Sequence, residues 1–305
     1  MPQKNQGCEV REEESVIVAW VCVCVAIHNL MIRIAICAPS TPMLHADAAR
    51  VSALAKADFP DVDLTFHPQC FQSEGHFAGP DADRLAAFLE CANDRAFDAV
   101  WFARGGYGAG RIAEDAMARL GPAADRKRFL GYSDGGYLLA ALYRARIGGP
   151  VHAPMPNDIR REGGEAAVRR TLAYLSGEFE GLEPTLDRHP VVAFNLMTLA
   201  MLCGTRLMPG LAGHVVMVEE VSEHLYAVDR LFFHITAHLG GVAGLRLGRV
   251  SDVPENDRPF GVEAEEIARY WCARHSIPYL GAADIGHDAA NRIVPFGLAG
   301  RAQGQ

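Results

Sequence analysis

The eight residues FLGYSDGG at 129–136 set Ser133 inside a G-x-S-x-G pattern, between an apolar run and a helix-forming run. Phe129 and Leu130 read as the end of a short buried strand and Tyr137 to Ala145 as an amphipathic helix, which puts Ser133 on a tight strand-to-helix turn. Gly131 and Gly135 allow backbone segments to approach where a Cβ would clash. The first N–H groups of the new helix then face any developing oxyanion. This is the arrangement an acyl-transfer nucleophile needs. A glycine-flanked serine is also a common helix N-cap, and the pattern by itself admits both readings.

A serine nucleophile requires an oxyanion site, a base and a group to orient the base. The glycine-rich run RGGYGAGR at 104–111 follows the apolar stretch AVWFA. Its glycines fit neither G-x-G-x-x-G nor G-x-x-x-x-G-K-[ST], so dinucleotide or phosphate binding is weakly supported. The better use is half of an oxyanion hole, pairing an N–H of Gly105 or Gly106 with that of Asp134; a tight turn without a ligand is the alternative. Among twelve histidines, His287 stands after the strand-like PYLGAADIG, where a glycine-flanked histidine faces a cleft. His234 and His238 are spaced i, i+4 on DRLFFHITAHL. They lack an HExxH glutamate and an obvious third ligand, and read as a partly buried helix face. The apolar run HVVMVEEVSE ends in Glu219 and Glu220, and because strand residues alternate faces only one of them can meet His287. An acidic pair at a strand end is otherwise simply solvated.

The elements that must position these groups alternate apolar runs with helical patterns, the signature of a parallel sheet covered by helices. Ile32–Cys37, Leu64–His67 and Ala99–Ala103 read as strands, with Ala46–Ala57 and Asp81–Asn93 as helices between them. The reading divides the chain into an N-terminal α/β domain over 31–155, a charged connector over 156–190 holding one helix and turns, and a C-terminal domain over 191–305. Strands are expected at His214–Val218 and Leu245–Val250, with a helix over Ala227–Leu239. Residues 1–30 read as an over-extended start or a disordered tail. Their apolar run Val16–Ile27 is twelve residues long, short of the roughly 20 that span a membrane, and the segment lacks a basic start and a small-residue cleavage pattern.

Composition narrows the function. Half of the 305 residues are apolar and the formal net charge is −8, with no Lys/Arg-rich block to neutralise phosphates, which argues against nucleic acid and for a small substrate. Eight cysteines are scattered without a CxxC pair, as expected for reduced thiols in a cytoplasmic protein. No cofactor or metal is expected.

The set RGGYGAGRI, FLGYSDGG, NLMTLAMLCGT at 195–205, VVMVEEVSEHLYAVDRLFFHI at 215–235 and IGHDAANRIVPFG at 285–297 resembles the serine LD-carboxypeptidases, the muramoyltetrapeptide carboxypeptidases and their microcin-immunity relatives. The resemblance runs from Met31 onward. It implies a flavodoxin- or amidotransferase-like, doubly wound N-terminal domain carrying Ser133 and a smaller, swivelling C-terminal β/α domain carrying Glu219 and His287 as the rest of a catalytic triad. Gly106 and Asp134 would supply the oxyanion hole. It also implies a homodimer and, as substrate, a murein tetrapeptide cut between the L-centre of its diamino acid and the terminal D-alanine. Where relatives often have Gly-Gly-Asn-Leu, this chain has Ala193-Phe194-Asn195-Leu196, a bulkier local surface.

Three other readings stand beside this one. A microcin-immunity-like hydrolase would cleave aminoacyl or peptidyl adenylate analogues and would carry aromatic residues to stack on the base, whereas the connector offers only Tyr174 and Phe179. A non-catalytic muropeptide or sugar-phosphate binding module would not need all three triad types. A metallohydrolase on His234 and His238 would be sensitive to chelators.

Overall fold

The computed structural model describes residues 31–298; the reading of residues 1–30 as an over-extended start or tail lies outside them. Five parallel strands form the first sheet: β1 (Ile32–Cys37), β2 (Val62–Phe66), β3 (Ala99–Phe102), β4 (Arg128–Gly131) and β5 (Gly149–His152). Their order is β2-β1-β3-β4-β5, the flavodoxin-like doubly wound arrangement. β3 is AVWF with every residue buried, the continuous apolar run of a strand covered on both faces. Trp101 meets the polar requirement of its indole by donating Nε1–H to the Pro154 carbonyl at 2.8 Å.

Helices α1 (His45–Asp58), α2 (Asp81–Asn93), α3 (Ala109–Arg119) and α4 (Gly136–Ala145) cover this sheet. α5 (Gly164–Leu175) lies within the segment read as a connector. It nevertheless packs as a layer of the first domain, because Val168, Leu172, Tyr174 and Leu175 share an apolar cluster with Ile34, Ile36 and Trp101.

The second sheet holds β6 (Pro190–Asn195), β7 (Val215–Val221), β8 (Gly244–Ser251) and β9 (Tyr279–Ala282), all parallel. It is covered by α6 (Leu196–Leu202), α7 (Leu225–Thr236) and α8 (Ala264–Arg274). β7 runs past the expected end at Val218 and carries both glutamates inside the strand. Two short strands then join the sheets: β10 (Val294–Pro295) pairs antiparallel with β5, and β11 (Gly297–Leu298) pairs antiparallel with β6. Phe102, Phe129 and Leu138 of the first unit share one apolar cluster with Val192, Phe194 and Leu196 of the second, so burial is continuous across the junction. Among the described residues no helix is long and apolar enough to cross a membrane.

Candidate active site

The site forms where loops leave the carboxyl ends of β1, β3 and β4, the region in which open α/β sheets bind ligands. β4 ends at Gly131, and Ser133 opens a one-turn 3₁₀ helix that leads directly into α4. Its φ is +57°, the left-handed region, which costs a non-glycine residue on the order of 1–3 kcal/mol and persists only where packing enforces it. The Phe102 ring packs closely against the turn on either side of the serine. A Cβ on Gly131 would lie 2.6 Å from the Phe102 ring and one on Gly135 2.9 Å from it, so both glycines flanking Ser133 are required by the same buried aromatic.

Asp134 fastens the glycine-rich loop to this turn. Its buried carboxylate accepts from the Ser40 hydroxyl at 2.5 Å and from the Ala109 N–H at 2.8 Å. Burial raises its pKa, opposed by these hydrogen bonds. Arg84, fully buried, holds the loops from the other side by donating to the carbonyls of Pro39 and Gly108 while pairing with Asp81. Thr41 donates to the Gly105 carbonyl at 2.5 Å. Gly106 has φ +105°, and a Cβ there would fall 2.5 Å from the Thr41 side chain. Gly105 lies against the serine itself: a Cβ at this position would sit 3.0 Å from Ser133 Oγ. Gly105→Ala is therefore expected to displace the hydroxyl by a few tenths of an ångström. The expected outcome is a loss of up to about 10²-fold in kcat/KM with the melting temperature nearly unchanged, measured by steady-state kinetics beside thermal unfolding.

His287 comes from the loop after β9, far along the chain, and its Nε2 lies 3.0 Å from Ser133 Oγ. Its Nδ1 lies 2.5 Å from Glu219 Oε2 on β7. Burial works against the charged imidazole, but the charge and hydrogen bond of Glu219 outweigh it and raise the His287 pKa above its ordinary value. Glu219 is fully buried, and its second oxygen, Oε1, has no hydrogen-bond partner among the described residues. Among the described residues His287 is thus the one hydrogen-bonding partner of this carboxylate. Strand alternation sends Glu220 to the opposite face, where it accepts from Asn195 Nδ2 at 2.7 Å and from the Met197 N–H at 2.8 Å and so stabilises the N-terminus of α6. A register shift between β7 and β8 falls at Glu219. There Gly248 lets β8 pass between the glutamate and the loop before His287, since a Cβ would lie 3.0 Å from the Glu219 Cβ and 2.6 Å from the Ile285 carbonyl.

Several supporting residues escaped the sequence reading. The Tyr132 ring packs on the His287 ring with centroids 4.8 Å apart, and its hydroxyl donates to Asp158 at 2.9 Å. Asp158 also accepts from the Met155 N–H and from Arg161. Asn291 Oδ1 accepts from the Gly286 N–H at 3.1 Å and faces His152 Nε2 at 3.0 Å, fixing the loop that carries His287. Burial lowers the His152 pKa, opposed by that hydrogen bond. Arg249 bridges Asp284 and Asp288 on either side of His287. Tyr132, beside the serine, was the one readable signal; the others lie in segments whose polarity reads as ordinary surface. His234 and His238 lie on and just beyond α7 and take no part in the Ser133 hydrogen-bond network.

Ser133 on the turn after β4, hydrogen-bonded to His287 after β9 and through it to Glu219 on β7, has the geometry that an acyl-transfer hydrolase requires. Residues 34–153 match the LD-carboxypeptidase N-terminal domain and residues 190–301 the LD-carboxypeptidase C-terminal domain, and the chain belongs to the LD-carboxypeptidase family. It is 27% identical over 290 residues to the murein tetrapeptide carboxypeptidase of Pseudomonas aeruginosa, covering 87% of this chain and 91% of that one. The fold is similar to that of a muramoyltetrapeptide carboxypeptidase from Oxalobacter formigenes, with TM-score 0.73 and 24% identity over 86% of this chain and 93% of that one. It is similar also to the microcin C7 self immunity protein MccF, with TM-score 0.70 and 18% identity over 88% of this chain and 92% of that one.

Proposed function

We propose that the protein is a serine LD-carboxypeptidase that removes the terminal D-alanine from murein tetrapeptides, acting as a cytoplasmic homodimer in cell-wall recycling. The observation that carries this reading is the line from Ser133 Oγ through His287 to Glu219, at 3.0 and 2.5 Å, built on a serine held at positive φ. The name of the Pseudomonas relative supports the substrate class.

In this mechanism Ser133 gives its proton to His287 Nε2 as Oγ attacks the carbonyl carbon on the L-centre of the diamino acid. Glu219 holds Nδ1–H and stabilises the imidazolium. The N–H groups of Gly106 and Asp134 are assigned to the oxyanion. Collapse of the tetrahedral intermediate breaks the C–N bond, His287 protonates the departing amine of D-alanine, and an ester to Ser133 remains. Water, giving a proton to His287, then hydrolyses that ester and restores the serine hydroxyl.

The second reading in the same chemistry is cleavage of aminoacyl nucleotide analogues, since MccF has been solved with aspartyl sulfamoyl adenosine and with glutamyl sulfamoyl guanosine. One observation weighs against it here. Tyr174 is buried and packs edge-to-face on Phe179, so Tyr174 offers no free face to a base. The deciding experiment compares kcat/KM for L-Ala-γ-D-Glu-meso-diaminopimelyl-D-Ala, the same peptide ending in L-alanine, and aspartyl sulfamoyl adenosine. The D-alanine peptide is expected to be preferred by at least about 100-fold, a discrimination of about 2.7 kcal/mol in transition-state binding. Faster turnover of the nucleotide analogue would overturn the substrate assignment.

A further inference from the structure

A second cluster of chemically capable side chains lies outside the Ser133 hydrogen-bond network. Cys203 follows the last residue of α6, while His234 lies in the last turn of α7 and His238 just beyond its end. One ligand atom from each, the thiol sulfur and a nitrogen of each imidazole, lies within 4.8 Å of the other two. The imidazole centroids are 4.6 Å apart. The two histidines alone, one turn apart on a helix, lack a third donor. The fold supplies it from a separate segment.

The tautomer of His238 suits this role. Its Nδ1 lies 2.9 Å from the His234 carbonyl oxygen, which only an N–H can approach as a donor. Nε2 is left with its lone pair, in the way an outer hydrogen bond usually fixes a metal-binding imidazole. A tetrahedral zinc ion, with Zn–N about 2.0 Å and Zn–S about 2.3 Å, spaces such ligand atoms about 3.3–3.6 Å apart, so small side-chain rotations close the set. One thiolate and two imidazoles favour zinc and its borderline neighbours over magnesium or calcium, which take oxygen ligands. Cys203 is also distinctive among the described cysteines: Cys37, Cys70, Cys91 and Cys272 are buried, whereas it is partly exposed.

We propose that Cys203, His234 and His238 bind one zinc-class divalent cation, with the fourth position open to water, and that the ion ties the end of α6 to the end of α7. The tie bears on the hydrolytic site at a distance. α6 is capped by Asn195 and carries Thr198, whose hydroxyl donates to the Ser133 carbonyl at 3.3 Å, and α7 follows the strand that carries Glu219. The ion's role is structural, and proton transfer at Ser133 proceeds without it.

The test is direct binding to the full chain. Dialysis against Zn²⁺ followed by metal analysis is expected to give one ion per chain, and Co²⁺ in its place to give a thiolate-to-cobalt charge-transfer band. Cys203→Ser, a near-isosteric change, is expected to abolish the band and the stoichiometric uptake. His234→Asn and His238→Asn are each expected to weaken Zn²⁺ binding by more than the 10–100-fold that loss of an outer hydrogen-bond partner costs. Zn²⁺ is expected to raise the melting temperature of the wild type, by mass action, but not that of Cys203→Ser. Equal Zn²⁺ uptake by the wild type and by Cys203→Ser, or a Co²⁺ spectrum without a thiolate band, would overturn the proposal.

Discussion

Ser133→Ala is expected to lower kcat for D-alanine release by a factor on the order of 10⁵–10⁶ while leaving peptide binding nearly intact. The change removes the oxygen that forms the ester intermediate. What remains is transition-state binding through the oxyanion donors and the peptide pocket, which in other serine hydrolases accounts for only about 10³–10⁴ over water. The fold is expected to survive, because Ser133 is a small, half-buried residue whose side chain bonds to His287 and not to the core. Alanine at this position carries the same cost of positive φ as serine, so stability is expected to change by about 1 kcal/mol or less. Calorimetric titration of the variant with intact tetrapeptide checks the binding half of the expectation, and quantification of free D-alanine the catalytic half.

Glu219→Gln is expected to cost about 10³–10⁴ in kcat/KM, with an added signature in the pH profile. Glutamine preserves the shape and can still accept from His287 Nδ1–H, but it carries no charge to balance the imidazolium. In the wild type burial disfavours the charged ring, and Glu219 reverses that effect, leaving the His287 pKa above its ordinary 6.5. The base must be neutral, so wild-type kcat/KM is expected to rise with pH through a midpoint above 6.5. In Glu219→Gln burial acts together with the Arg161 charge and is opposed only by that of Asp158, and the midpoint is expected to move below 6.5. The linked effect on stability has the opposite sense. A pKa raised on folding contributes stability that is full below the unfolded value and is lost as pH rises through the folded one, so the Glu219–His287 pair contributes most under mildly acidic conditions. Glu220→Gln provides the contrast. Its carboxylate anchors the N-terminus of α6, so it is expected to cost stability, with the acid midpoint of activity unmoved.

The elements of the first domain were readable because their signals are local. The helix expected over Asp81–Asn93 spans the same residues in the structure, and the buried run at Ala99 becomes β3. The requirement for glycine on both sides of Ser133 was also readable, although the agent of that requirement, Phe102, was not, since it comes from a neighbouring strand. Alternation along β7 established that one glutamate of the pair faces His287 without saying which. The choice depends on the register between β7 and β8 and on Gly248, long-range facts that no local period encodes. The two-residue strands β10 and β11 are too short to carry any period, yet they join the two sheets. Similarly, the charged stretch after Pro154 reads as a linker because its polar residues dominate, while Val168, Leu172 and Leu175 turn one face of α5 onto the first sheet. Cys203 had no visible relation to His234, because only the packing of α6 beside α7 makes them neighbours.

The central claim is that Ser133 carries the acyl group during turnover. Its most direct test is acid quench of the wild-type enzyme mixed with tetrapeptide, in buffer containing EDTA, followed by peptide mapping by mass spectrometry. The account predicts that the peptide containing Ser133 gains the mass of the tripeptidyl group, in step with the first equivalent of D-alanine released and without any dependence on metal. Release of D-alanine by the wild type with no adduct on Ser133, or with the adduct on another residue, would contradict it.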